Sequence, residues 1–184
     1  MCQSSMKSIL ASALTFGLIT TAAAAEESKK GPIYVQASLM GLSANGYYGG
    51  TPISTIKAGF RMDLEGGYHL SGRHDGLVVG VRQGFNFSDF SSGSTQARLG
   101  YDLALPNIIG KNELIIAPYA AFGAGYQFVS AAGDAAFAMT FGAEGRLFVA
   151  DKVYVHFRPI DLGVWIGSQT NVAYSMAGGA GMSF

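Results

Sequence analysis

Over residues 56–70 every second position is apolar or small: Ile56, Ala58, Phe60, Met62, Leu64, Gly66, Tyr68 and Leu70. Between them stand Lys57, Gly59, Arg61, Asp63, Glu65, Gly67 and His69. Successive side chains of a strand point to opposite faces, so this stretch predicts a strand with one apolar and one charged face. Wound as a helix, it would scatter its charges around the circumference. The apolar face lies either on a dry core with the charges in water, or against lipid with the charges inside a closed barrel.

The same alternation recurs along the chain. Residues 33–41 set Ile33, Val35, Ala37 and Leu39 against Tyr34, Gln36, Ser38 and Met40. Residues 42–54, rich in Gly, Asn and Tyr, read as a loop. After the turn at 71–75, residues 77–88 place Leu77, Val79, Val81, Phe85 and Phe87 opposite Gly80, Arg82, Gly84 and Asn86. A turn at 89–93 leads to 95–105, with Leu99, Tyr101 and Leu103 opposite Gln96, Arg98 and Asp102. Residues 106–112 read as a link to a more apolar strand over 113–129, in which Pro118 weakens the expectation of regular pairing. After a turn at 130–133, residues 134–149 set Phe137, Met139 and Phe141 against Thr140, Glu144 and Arg146. A tight turn at 150–152 precedes 153–166, where Tyr154, His156 and Arg158 share the polar phase, and a bulge at Pro159 is needed for Asp161 to rejoin it. A turn at 167–171 and a last strand over 172–184 complete eight, with no βαβ spacing between them.

The strand charges decide between the two arrangements. Lys57, Arg61, Asp63, Glu65, Arg82, Arg98, Asp102, Glu144, Arg146, Arg158 and Asp161 all fall in the polar phase. They comprise six cations and five anions, the near-balance expected of charges that pair in a confined space. A lipocalin-like soluble barrel would turn them to water instead. Against it stand the unbroken apolar phase with Phe and Tyr near strand ends, and a polar phase full of glycine, which a narrow lumen needs opposite long Arg and Tyr side chains. The terminal Phe184 lies in phase with Met182, Ala180 and Gly178. The expected fold is all-β: an eight-stranded antiparallel up-and-down transmembrane β-barrel.

Composition agrees. The 184 residues include 26 Gly, 12 Phe and 9 Tyr but only 13% charged residues, with zero formal net charge and so no footprint for nucleic acid. Lys7, the apolar run at 8–21 and the Ala-rich stretch at 22–25 read as an export signal with an Ala-x-Ala cleavage site, and Met6-Lys7 resembles the start of such a signal. The division expected is a cleaved signal peptide over 1–25 and a barrel domain over 26–184. The only cysteine, Cys2, would leave with the signal, so no disulfide supports the fold.

With these features the chain resembles the small eight-stranded outer-membrane proteins of Gram-negative bacteria, the OmpA-like and OmpX-like transmembrane domains, over residues 33–184. The resemblance implies a bacterial outer-membrane location, outer-membrane lipid as surroundings and a monomer. In that family a last strand ending in Phe is read by the barrel-assembly machinery, and Phe184, Met182 and Tyr174 match that pattern loosely. It also implies that both ends face the periplasm and that 42–54, 88–94, 130–133 and 167–171 face outward; the periplasmic peptidoglycan-binding domain of full-length OmpA is not expected here.

Chemistry beyond architecture is sparse. The lumen charges read first as salt bridges filling a closed interior, which gives a structural, envelope-integrity or surface-interaction role; the alternative is a narrow ion or small-solute channel. His69 and Ser71, two apart, invite comparison with lipid A deacylases, in which a His activates a Ser. Here Gly72 stands where that family has Asn, and a histidine near a turn is the simpler reading. His74 falls in a turn and His156 beside Arg158 in the lumen phase. No metal-ligand spacing and no phosphate-binding glycine loop is present, so neither cofactor nor catalysis is expected. Tyr47 and Tyr48 are candidates for surface contact.

Overall fold

In a computed structural model, residues 30–48, 56–87, 91–109, 112–127, 135–167 and 170–184 are described. The predicted export signal lies outside them. Eight strands follow one another: β1 (Ile33–Tyr48), β2 (Ile56–His69), β3 (Gly76–Phe87), β4 (Ser92–Ile109), β5 (Asn112–Gln127), β6 (Ala135–Phe148), β7 (Val153–Ile166) and β8 (Thr170–Ser183). Each pairs antiparallel with its successor and β8 pairs with β1, so the sheet closes and leaves no edge. At the seam Ile33 and Phe184 exchange both backbone hydrogen bonds, at 3.1 and 2.7 Å. The first and last residues of the barrel thus tie its wall.

Burial is inverted relative to a water-soluble protein. Leu99, Phe122, Phe141, Phe157 and Leu162 are exposed, whereas Asp63, Arg82, Arg98, Glu144 and Arg158 are buried. A lipocalin-like arrangement requires the opposite. Apolar side chains outside and charged side chains inside is the pattern of a barrel whose solvent is lipid.

Three stretches differ from the sequence reading. β1 runs seven residues past the predicted end at 41, through much of the expected loop at 42–54. A β-bulge beyond Ser38 shifts the register against both β2 and β8, so Ser38 and Gly41 are both buried while Leu39 is exposed. Alternation read forward from Ile33 loses its phase there, which made 42–48 look irregular. Tyr47 and Tyr48 accordingly sit in the wall, paired with Asn171 and Thr170. β4 begins at Ser92 and continues to Ile109, taking in most of the expected link at 106–112, with an irregularity between Leu105 and Ile109 where Pro106 cannot donate. β8 begins at Thr170, inside the expected turn at 167–171.

Two proline expectations resolve differently. Pro118 faces outward and leaves the register unchanged, since Gly100↔Tyr119 and Leu103↔Ile116 lie on one ladder. At Pro159 the ladder steps from Arg158↔Ala177 to Asp161↔Ser175, one extra residue on β7. That bulge turns both Arg158 and Asp161 inward.

Glycine placement follows from the lumen's width. Tyr34, Tyr119 and Tyr154 lie over cross-strand glycines Gly67, Gly142 and Gly181, where an added Cβ would come within 2.6 Å of a tyrosine ring atom. Each large ring thus takes the space its neighbour lacks.

Candidate functional site

The lumen is filled by side chains from all eight strands. The bulge on β7 puts Arg158 and Asp161 on one inner face, and the regular alternation of β2 adds Arg61, Asp63 and Glu65. β3 and β4 contribute Arg82, Arg98 and Asp102, and β6 contributes Glu144 and Arg146. Among the described side chains, five arginines therefore meet five carboxylates. Lys57 is on β2 opposite Asn45, but its side chain lies outside the described residues.

Arg158 is the hub. Its guanidinium reaches Glu144 at 2.7 Å, Glu65 at 3.1 Å, Asp63 at 3.2 Å and Asp161 at 3.8 Å. Toward one mouth, Arg82 bridges Asp63 and Asp161, and Arg61 joins the same two carboxylates at 3.1 and 3.5 Å. Toward the termini, Arg98 pairs with Glu65 at 2.7 Å, while Arg146 meets Glu144 at 2.5 Å and Asp102 at 2.6 Å. Removing ions from water is costly, and such a cluster is tolerated only when charges are matched and the remaining lone pairs are hydrogen-bonded.

Neutral side chains supply many of those bonds. Gln36 donates to Glu65 and Glu144 and accepts from Tyr154, and Tyr34 donates to Glu65 at 2.8 Å. Arg146 lies 4.3 Å from the centre of the Tyr34 ring, and Arg98 lies 4.6 Å from that of Tyr119, so the aromatic faces receive positive charge as well. The sequence placed Tyr34, Tyr154 and Gln36 in the lumen phase without assigning them a role. Their phase was the signal, and only closure of the barrel reveals which carboxylate each one meets.

The histidines have structural surroundings. His69 has one ring nitrogen 2.8 Å from Asp102 and the other 2.9 Å from the Pro32 carbonyl. Ser71 is engaged elsewhere, donating to the Asp75 carbonyl at 2.5 Å and accepting from the Arg73 amide. The His-Ser constellation suggested by spacing is therefore not assembled. His74 contacts Glu113 at 2.7 Å, which also binds Lys30 at 2.5 Å. His156 lies 3.6 Å from Glu144. Met182 lies in the closing strand and Phe184 directly follows that strand, both half-buried, and exposed Tyr174 donates to the Pro159 carbonyl at 2.7 Å beside the β7 bulge.

At the mouth remote from the termini, the lumen opens into a vestibule continuous with solvent. Arg61, Asn86, Ser94, Thr140, Trp165 and Asn171 are among the residues that line it. Arg61 is the lumen arginine that reaches this space: its side chain is 12% exposed, against 0–1% for Arg82, Arg98, Arg146 and Arg158.

No family model and no curated protein matches the sequence. Among solved structures, the chain is similar to Neisserial surface protein A (NspA), with a TM-score of 0.57 and 13% identity over 83% of this chain and 97% of that one. It also matches the N-terminal β-barrel domain of Pseudomonas aeruginosa OprF, with a TM-score of 0.46, 13% identity and coverage of 84% and 100%. Ail, the attachment invasion locus protein of Yersinia pestis, gives 0.46, 13%, 86% and 100%. In architecture the chain is a small eight-stranded antiparallel barrel that shares its fold with Neisserial surface protein A.

Proposed function

We propose that this chain is an integral protein of the bacterial outer membrane, delivered there by its N-terminal export signal, and that its polar lumen is a structural core rather than a pore. The observation that carries this reading is the charge network: five arginines and five carboxylates bridging strands on opposite sides of the barrel, centred on Arg158. Such a plug exchanges the water of a channel for fixed ion pairs. The activity left to the protein is that of its surfaces: maintaining the envelope and presenting its outer mouth. Likeness in fold to a neisserial surface protein supports the placement.

A narrow channel is the second reading. It is favoured by the vestibule that reaches Arg61, and by Arg98 Nη2, Asp102 Oδ1 and Asp161 Oδ1, buried atoms without a hydrogen-bond partner among the described residues that can hold water. Single-channel recording of the purified protein in planar bilayers separates the two. The plugged lumen gives no steady openings, and reproducible unitary conductance would establish the channel instead. A lipid A-modifying activity is weaker still, because Ser71 binds the Asp75 carbonyl rather than His69; unchanged lipid A mass spectra on expression of the protein are expected.

A further inference from the structure

The vestibule holds the chain's single tryptophan. Trp165 belongs to β7, yet an added Cβ on Gly125 of β5 would come 2.7 Å from its Cε3, and one on Gly163 would come 3.7 Å from its Nε1. The indole therefore spans the inner face of β6, from Gly163 to Gly125. Ala138, fully buried, is the β6 residue paired with Trp165, so the wall beneath the ring is built of small residues. A filled lumen has no need of such a platform at its open end, where most of the neighbouring side chains are polar. Among the described residues the indole makes no hydrogen bond and no ring contact.

Beside it, Asn171 is the direct cross-strand partner of Trp165. Its Oδ1 is buried and has no hydrogen-bond partner among the described residues. Across the vestibule Arg61 donates to Asp63 and to Ser175, the latter at 2.7 Å, which fixes the guanidinium in place while part of the side chain stays open. An aromatic ring, a fixed donor and an unpaired acceptor thus converge on one concave space. A pyranose has complementary chemistry: an apolar C–H face that packs on an aromatic ring, and a rim of hydroxyls that both donate and accept.

We propose that the vestibule is a carbohydrate subsite that holds one pyranose ring against Trp165, with hydroxyls directed to Arg61 and Asn171. The proposal rests on the outer-membrane reading, which places this mouth at the cell surface where glycans are met. The lone tryptophan is also the reporter. The full-length protein is purified from membranes in an amine-oxide detergent, which has no sugar headgroup, and its barrel is checked by heat-modifiable gel mobility. Trp165 fluorescence is then titrated with the methyl glycosides of glucose, galactose, mannose and N-acetylglucosamine, and with sorbitol as a polyol without a ring.

A saturable change with at least one glycoside but not with sorbitol is expected, weakened at least tenfold in both Asn171→Ala and Arg61→Gln. Saturation-transfer NMR of the same glycoside with Trp165→Ala should lose the signal. Competition by the delipidated core oligosaccharide of lipopolysaccharide, at lower concentration than the simple glycoside, assigns the sugar to the membrane's own surface. Failure to compete assigns it to solution. No saturable change in material that passes the gel check, or an equal change in Asn171→Ala, overturns the subsite and leaves the barrel standing. Material that fails the gel check overturns the barrel reading and the subsite with it.

Discussion

Arg158 contacts four carboxylates from β2, β6 and β7, and each of those has a second cationic partner. Among the described side chains, Arg158→Met therefore leaves no carboxylate wholly unpaired but sets four arginines against five carboxylates. Removing one member of a buried ion cluster costs about 3–5 kcal/mol. A loss of that order is expected in urea unfolding of the protein in detergent or lipid. The double variant Arg158→Met/Glu144→Gln restores the balance and should recover part of the loss, by a coupling energy of roughly 0.5–3 kcal/mol. Additive losses would mean that Arg158 acts by packing alone. Individual residues in this network were visible in the sequence as charges in the polar phase, since period-two alternation survives in β2, β3, β4 and β6. Their pairing was not visible, because it joins strands as distant as β2 and β7, and sequence spacing carries no information about which side chains meet across a closed lumen.

Among the elements, the seam between β1 and β8 is where the barrel closes. Gly179 pairs with Ser38 there, and a Cβ at Gly179 would fall 1.9 Å from the Ala37 carbonyl oxygen and 2.8 Å from Ser38 Cα. These are backbone atoms and cannot swing aside. Gly179→Ala is expected to destabilise the barrel by about 1–3 kcal/mol or more through overpacking. Gly178→Ala, whose added methyl would make only ordinary contacts at 3.6 Å, should be close to neutral in the same unfolding measurement. Phe184 contributes backbone hydrogen bonds to Ile33 at this seam, which Phe184→Ser retains. Folding of that variant into detergent micelles in vitro should therefore be near normal, while its insertion in cells, followed by the heat-modifiable fraction, should fall if the terminal aromatic is an assembly signal. Equal loss in both settings would assign Phe184 to packing. Elements were legible where one phase ran unbroken. They were misread at the β1 bulge and beyond Pro106, where an extra residue or a missing donor interrupts the ladder and local composition resembles a loop.

The whole molecule is ordered by one inversion: apolar side chains outward, charges inward. The fold was legible because that inversion imposes a constraint on every strand, and eleven charges in one phase are hard to explain otherwise. The vestibule was not, because Trp165, Asn171 and Arg61 come from three strands and converge only when the register, including the β7 bulge, is known. Site-directed spin labelling tests the inversion directly. In a Cys2→Ser background, single cysteines at Leu99, Phe122, Phe141 and Leu162 are labelled, and the protein is reconstituted in lipid vesicles. All four labels should relax with oxygen, which dissolves in lipid, and stay protected from a water-soluble nickel complex. Labels open to nickel, on a protein that remains soluble without detergent, would contradict the lipid-facing barrel.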